Sequence, residues 1–150
     1  VRKYNPNIAI SGDFIIGFPG ETDKDNQATI DLIKEIKYSQ AYSFKYSIRP
    51  GTPAAISLNQ VNESVKNSRL QEVQSILRDQ QLEFNKNSIN SSLKILVLRN
   101  GKKPNQYLGR SQYNQSVYFS SEEKNLIGSF ININVTEAFQ NSLTGNIVHI

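Results

Sequence analysis

Gly17, Phe18, Pro19, Gly20 and Glu21 close an apolar run, Phe14-Ile15-Ile16, and a helical pattern follows them. A strand that stops at glycines and opens into a helix is where α/β proteins commonly place ligands. A phosphate loop would need a Gly-Lys-Ser/Thr ending, and this stretch has none. A dinucleotide fingerprint would need a third glycine at the right spacing, which is also missing. What remains is a close-approach loop. Gly17 and Gly20 let backbone meet a ligand, while Asp13 and Glu21 offer carboxylates to hydroxyls or amines. The competing reading is a plain strand-to-helix turn. Arg49, past the next apolar stretch, could grip a carboxylate or phosphate bidentately, or else pair with Glu21 or face solvent.

A second group lies further on. Arg99, Lys102, Lys103 and Arg110 are interleaved with Tyr107, Tyr113, Tyr118 and Phe119. Cations attract phosphates and aromatics stack on unpaired bases, the combination used by small RNA-binding barrels. Aromatics at alternating strand positions also build cores. Phe119 and Phe130 are expected inside, with Tyr107 or Tyr113 the more exposed candidates. His149, the one histidine, reads as an ordinary strand residue, and neither a metal site nor a catalytic triad can be assembled around it.

The elements that must position these residues follow from pattern. Residues 8–18 are β-branched, short and bounded by turn signals, and so predict a buried strand. Thr22 can cap a helix, with Asp25 as the capping-box acid, and Ala28, Leu32, Ile33 and Ile36 fall on one arc. "AYSFKYSI", residues 41–48, predicts the next strand and ends in "RPGT". Both "FPGE" and "RPGT" put Pro then Gly at the centre of a turn, the requirement of type II geometry. Strand, turn, helix, strand, turn is a βα repeat, with both turns at the carboxyl ends of parallel strands.

From Asn62 to Phe84 the pattern is helical and polar, with Leu70, Val73, Leu77 and Phe84 in a seam that Gln80 interrupts. "NKNSINSS", residues 85–92, reads as a polar join, dividing the chain into 1–84 and 85–150. Beyond it come short strands and turns without a helix. Ile131, Ile133 and Val135 alternate with Asn132 and Asn134, and the whole implies a small antiparallel barrel of the OB kind.

Composition bounds the chemistry. The 150 residues contain no cysteine, which excludes disulfides, thiolate zinc sites and iron–sulfur ligation from within this chain. No apolar run is long enough for a membrane helix, and no signal segment opens the chain, so the cytoplasm is the expected compartment. Methionine is absent even at position 1, and the expectation is therefore a fragment. All the excess positive charge falls after residue 85, which fits a polyanion-binding appendage or equally a soluble domain that is simply basic.

Taken together, "ISGDFIIGFPGETDKD", "YSFKYSIRPGTPAA", the long helix and "LIGSFININVTEAFQNSLTGNIV" resemble the C-terminal part of the tRNA methylthiotransferases. "GRSQYNQSVYF" is most similar to the MiaB type, which makes 2-methylthio-N6-isopentenyladenosine. The resemblance implies the last βα units of a radical S-adenosylmethionine (SAM) barrel, a partial TIM-like barrel, then a linking helix and a TRAM domain. It also implies SAM and [4Fe-4S] clusters as cofactors of the intact enzyme. The cluster is held there by a Cys-x-x-x-Cys-x-x-Cys motif, and a further domain carries a second cluster; this chain has neither region. By carry-over, Asp13, Gly17, Phe18, Gly20, Glu21 and Arg49 would line the SAM cavity, and no catalytic residue falls in this chain. Implied partners are a tRNA anticodon stem-loop, contacted by Arg99, Lys102, Lys103, Tyr107, Arg110 and Tyr113, and the missing N-terminal portion. A different class, a stand-alone RNA-binding module with a non-catalytic barrel remnant, fits the same basic half.

Overall fold

The computed structural model describes residues 1–148, and His149 lies outside them. The chain divides into two compact units, residues 9–80 and residues 81–150 with 1–8.

In the first unit β1 (Ser11–Ile16) leads through a turn to α1 (Asp23–Ile36) and back to β2 (Gln40–Lys45). A 3-10 turn (Pro53–Ile56) precedes α2 (Glu63–Lys86), whose last residues, from 81, belong to the other unit. β1 and β2 pair in parallel, Ser11 opposite Gln40 through Ile16 opposite Lys45. The predicted unit of strand, helix and parallel strand is thus present, with a shorter first strand than residues 8–18.

α1 starts where the sequence places it. The Thr22 hydroxyl accepts from the Asp25 N–H at 3.2 Å, and the Asp25 carboxylate accepts from the Thr22 N–H at 2.9 Å, a complete capping box. Hydrogen bonds from Thr22 hold the Asp25 carboxyl below its ordinary value. The buried arc is Asn26, Ile30 and Ile33; of the predicted positions Ile33 lies on it and Ile36 is half-buried, while Ala28 and Leu32 face solvent. Ile30 was the position the arc turned on. One face of the β1–β2 sheet packs, through Phe14, Ile16 and Ala41, on Ile30 and Ile33 of α1 and on Leu70, Val73 and Leu77 of α2. Gln80 breaks the apolar seam for a reason. Its amide donates to the Ile33 carbonyl at 2.8 Å and accepts from the Tyr38 N–H at 3.0 Å, closing the carboxyl end of α1.

The opposite sheet face is uncovered among the described residues. Ile15, Tyr42 and Phe44 are all more than half exposed there, and Asp13 pairs in register with Tyr42.

The second unit contains β3 (Ser92–Asn100), β4 (Gln106–Ser111), β5 (Ser116–Ser120), β6 (Phe130–Ala138) and β7 (Leu143–Ile147). They close into a barrel of order β3-β4-β5-β7-β6. The barrel is antiparallel as expected except at one seam, where β5 and β7 pair in parallel. The parallel seam arises because β6 crosses over to pair with β3, leaving β7 beside β5. Leu93, Ile95, Val97, Val117, Phe119, Ile133, Val135 and Leu143 fill the interior. The polar stretch 85–92 is not an open linker. Gln115 donates to the Asn85 side chain at 3.0 Å and to Ser88 at 3.1 Å, and Asn85 donates to the Phe139 carbonyl at 2.8 Å. These buried groups satisfy one another, so the segment is fastened to the barrel.

No described helix is long and apolar enough to cross a membrane.

Candidate functional site

The turn after β1 is built almost entirely from internal bonds. Pro19 and Gly20 occupy its centre, Gly20 has φ +88°, and the Glu21 N–H donates to the Phe18 carbonyl at 2.9 Å. That is the type II geometry the Pro-Gly pair predicts. Its echo recurs at Pro50-Gly51, where Gly51 has φ +82° and the Thr52 N–H donates to the Arg49 carbonyl at 3.3 Å. Both turns follow the carboxyl ends of adjacent parallel strands.

Three amide donors of the first turn are already used. Gly17 N–H donates to Glu21 Oε2 at 2.8 Å, and Gly20 N–H donates to the Asn59 carbonyl at 2.8 Å. With the Glu21 N–H also taken, the loop offers no cradle of amides for a phosphate. It is a shaped wall.

Two cations of α2, which the sequence presented as part of a polar helix, hold this wall. Arg69 reaches Glu21 Oε1 at 2.7 Å, the Glu21 carbonyl at 3.2 Å and Asp23 Oδ1 at 2.6 Å. The Arg69 and Glu21 side chains are only 10% and 12% exposed, so this is a buried pair. Hydrogen bonding to Asp23, with Glu21 adding to it, raises the Arg69 pKa above its already high ordinary value, and the clamp stays charged. Lys66 lays its stem over Gly17, reaches Glu63 at 2.9 Å and sits 6.0 Å from the centre of the Tyr46 ring. Lys45 binds the same carboxylate, and the two lysines hold Glu63 below its ordinary pKa.

The six candidates around the turn therefore separate. Gly17 is buried beneath Lys66, and Glu21 is engaged by Arg69. Asp13, Phe18, Gly20 and Arg49 are exposed, next to or on the uncovered sheet face and its turns. Phe18 also packs edge-on against Tyr46, with ring centres 5.2 Å apart. Arg49 is not Glu21's partner; that place is Arg69's. Sequence spacing concealed Lys66 and Arg69, because their partners lie 48 residues away in the case of Glu21–Arg69.

On the barrel, Arg99, Lys102, Lys103 and Arg110 are exposed. The loop carrying the two lysines is shaped by Gln106, whose side-chain oxygen accepts from the Lys102 N–H at 3.2 Å and the Lys103 N–H at 3.4 Å. Arg110 donates to the Asn114 carbonyl at 2.8 Å. Two of the aromatic assignments, Tyr107 and Phe130, are overturned. Tyr107 is buried, stacked on Phe119 at 5.5 Å, with its hydroxyl donating to the Glu123 carbonyl at 2.9 Å. Tyr113 is half-buried, edge-on to Phe84 at 5.9 Å. Phe119 is core as expected, but Phe130 is 65% exposed. β6 turns Ile131, Ile133 and Val135 towards the interior, which puts Phe130, in the opposite phase, outside.

The barrel is small and closed and carries exposed cations, a surface suited to polyanions. Residues 87–148 match the TRAM domain family. Across nearly its whole length the chain is similar to part of several curated bacterial proteins of one name. It is 48% identical over 148 residues, 99% of this chain, to the tRNA-2-methylthio-N(6)-dimethylallyladenosine synthase of Rickettsia rickettsii (strain Sheila Smith). The proteins of that name in Rickettsia felis and Rickettsia bellii are 47% and 48% identical over 99% and 98% of the chain. The chain spans about a third of the length of these curated relatives, 33% in each case.

Proposed function

We propose that this chain is a portion of a tRNA methylthiotransferase, the one that adds a methylthio group to C2 of N6-isopentenyladenosine beside the anticodon. In this reading residues 81–148 grip the tRNA anticodon stem-loop, and residues 9–80 form part of the wall of a SAM cavity. The observation that carries it is the joining, within one chain, of a basic TRAM barrel to a βαβ unit whose two Pro-Gly turns border an uncovered sheet face.

The exposed face suits a nucleoside-bearing cofactor. Ile15, Tyr42 and Phe44 supply apolar contact, Asp13 a carboxylate for hydroxyls or an amine, and Phe18, Gly20 and Arg49 the rim. Gly17 and Glu21 act from behind, by fixing the turn against Lys66 and Arg69. SAM, when bound, supplies the radical-forming and methyl-bearing chemistry of the family. A [4Fe-4S] cluster does not fit this chain, which has no cysteine to hold one. What these residues do is bind and orient, the protein's usual share in cofactor chemistry. A soluble cytoplasmic enzyme completed by a further N-terminal portion is the setting this implies.

The RNA half is tested on the 150-residue chain by fluorescence anisotropy with an unmodified anticodon stem-loop RNA. Affinity is expected to fall steeply with salt, by more than tenfold between about 50 and 200 mM, because each neutralised phosphate releases counterions. Lys102→Ala, Lys103→Ala and Arg110→Ala should each weaken binding and flatten the salt slope by about one unit or less. Affinity that ignores salt would count against an electrostatic RNA grip.

A further inference from the structure

The outer surface of the β3–β6 seam carries a strip that the cationic loop does not include. Leu96 lies opposite Phe130, Lys94 opposite Asn132, and Asn134 of β6 is followed by Asn146 of β7 in register. All six residues alternate away from the barrel interior. Phe130 is 65% exposed, and Lys94 Nζ lies 5.1 Å from the centre of its ring. The ring is held on a fixed support: Val97 N–H donates to the Ser129 carbonyl at 3.0 Å, and Gly128 N–H donates to the Val97 carbonyl at 2.8 Å. Among the described residues the side-chain amides of Asn132, Asn134 and Asn146 make no hydrogen bond. Each presents both a donor and an acceptor. None of these register positions holds a carboxylate.

We propose that this strip is a base-stacking site for an unpaired segment of RNA, with Phe130 as the platform. A flat, exposed, rigidly mounted aromatic next to a lysine is suited to a base and its phosphate together. The amides at alternate positions along β6 suit the polar edges of one or two further bases. Charge favours RNA over a protein partner: residues 86–150 carry seven Lys/Arg against three Glu, a net +4 that matches a polyanion. Bases inside a duplex cannot reach the ring, so the ligand is single-stranded, such as a loop. The inference rests on the RNA-binding reading above and adds a surface remote in sequence from Lys102 and Lys103.

The test compares the 150-residue chain with Phe130→Ala, Phe130→Tyr and Lys94→Gln, using the stem-loop RNA and a fully paired duplex of the same stem. Phe130→Ala is expected to weaken stem-loop binding about tenfold, within the ~5–150-fold range of single-base stacking, and to leave duplex binding unchanged. Phe130→Tyr should restore affinity, and Lys94→Gln should weaken binding a few-fold and reduce the salt slope by about one. Because Phe130 lies outside the core, the variants should keep the parent's circular dichroism. If Lys102→Ala weakens binding while Phe130→Ala stays within twofold of the parent, this proposal fails and the RNA reading survives. If the parent binds no RNA, both fall. Sedimentation that shows Phe130→Ala abolishing self-association, with RNA affinity unaltered, would make the strip a contact between copies and overturn the assignment.

Discussion

Gly17→Ala is expected to destabilise the βαβ unit by ~2–5 kcal/mol, read as loss of amide hydrogen-exchange protection across residues 9–80. Two costs combine. Gly17 has φ +75°, and holding an L-residue there costs about 1–2 kcal/mol. An added Cβ would also stand 2.1 Å from Lys66 Cγ and 2.6 Å from Cδ, atoms near the root of a side chain that is itself pinned through Glu63. Relieving such a collision costs a further ~1–3 kcal/mol. Gly20 supplies the control. Its φ is +88°, yet nothing lies within 4 Å of a Cβ built there, so Gly20→Ala carries the backbone cost alone. Equal losses for the two variants would mean that the seating of Lys66 against Gly17 contributes nothing to the turn.

Arg69→Ala is the second large effect, about 3–5 kcal/mol against the same unit, the usual range for removing one partner of a buried pair. Glu21 would keep the Gly17 N–H as its donor, but the oxygen now facing Arg69 would remain out of water without a partner. Arg69→Lys should recover only part of the loss, since an ammonium cannot span Glu21 and Asp23 as the guanidinium fork does. Glu21→Ala and Arg69→Ala combined should cost less than the two singles added, because each removes the same contact. Strict additivity, measured by urea unfolding of the four proteins, would show that the pair does not act as a clamp. Together Gly17, Glu21, Lys66 and Arg69 fasten a loop that carries a carboxylate and glycines at its tip.

Much of this fold is legible in the sequence because its signals are local. Pro-Gly at two turns, Thr22 three residues before Asp25, and the alternation of Ile131, Ile133 and Val135 each act within a few residues, and each appears in the structure. The same alternation places Phe130 outside, out of phase with the three inward residues. What local pattern cannot supply is pairing at a distance. Arg69 and Lys66 read as part of a polar helix face until Glu21 and Gly17 are brought beneath them. Likewise Gln80 reads as a flaw in a seam, and only the carboxyl end of α1 shows what it serves. The parallel β5–β7 seam depends on the crossover of β6, which no short window contains.

In the proposed function this chain would position and grip, and the redox centre would belong to another part of the enzyme. Anaerobic reconstitution of the 150-residue chain with iron and sulfide, followed by iron and acid-labile sulfide analysis, tests it most directly. The predicted result is no stoichiometric iron on protein that still binds the stem-loop RNA with steep salt dependence. A stoichiometric iron–sulfur cluster bound to this cysteine-free chain would contradict it.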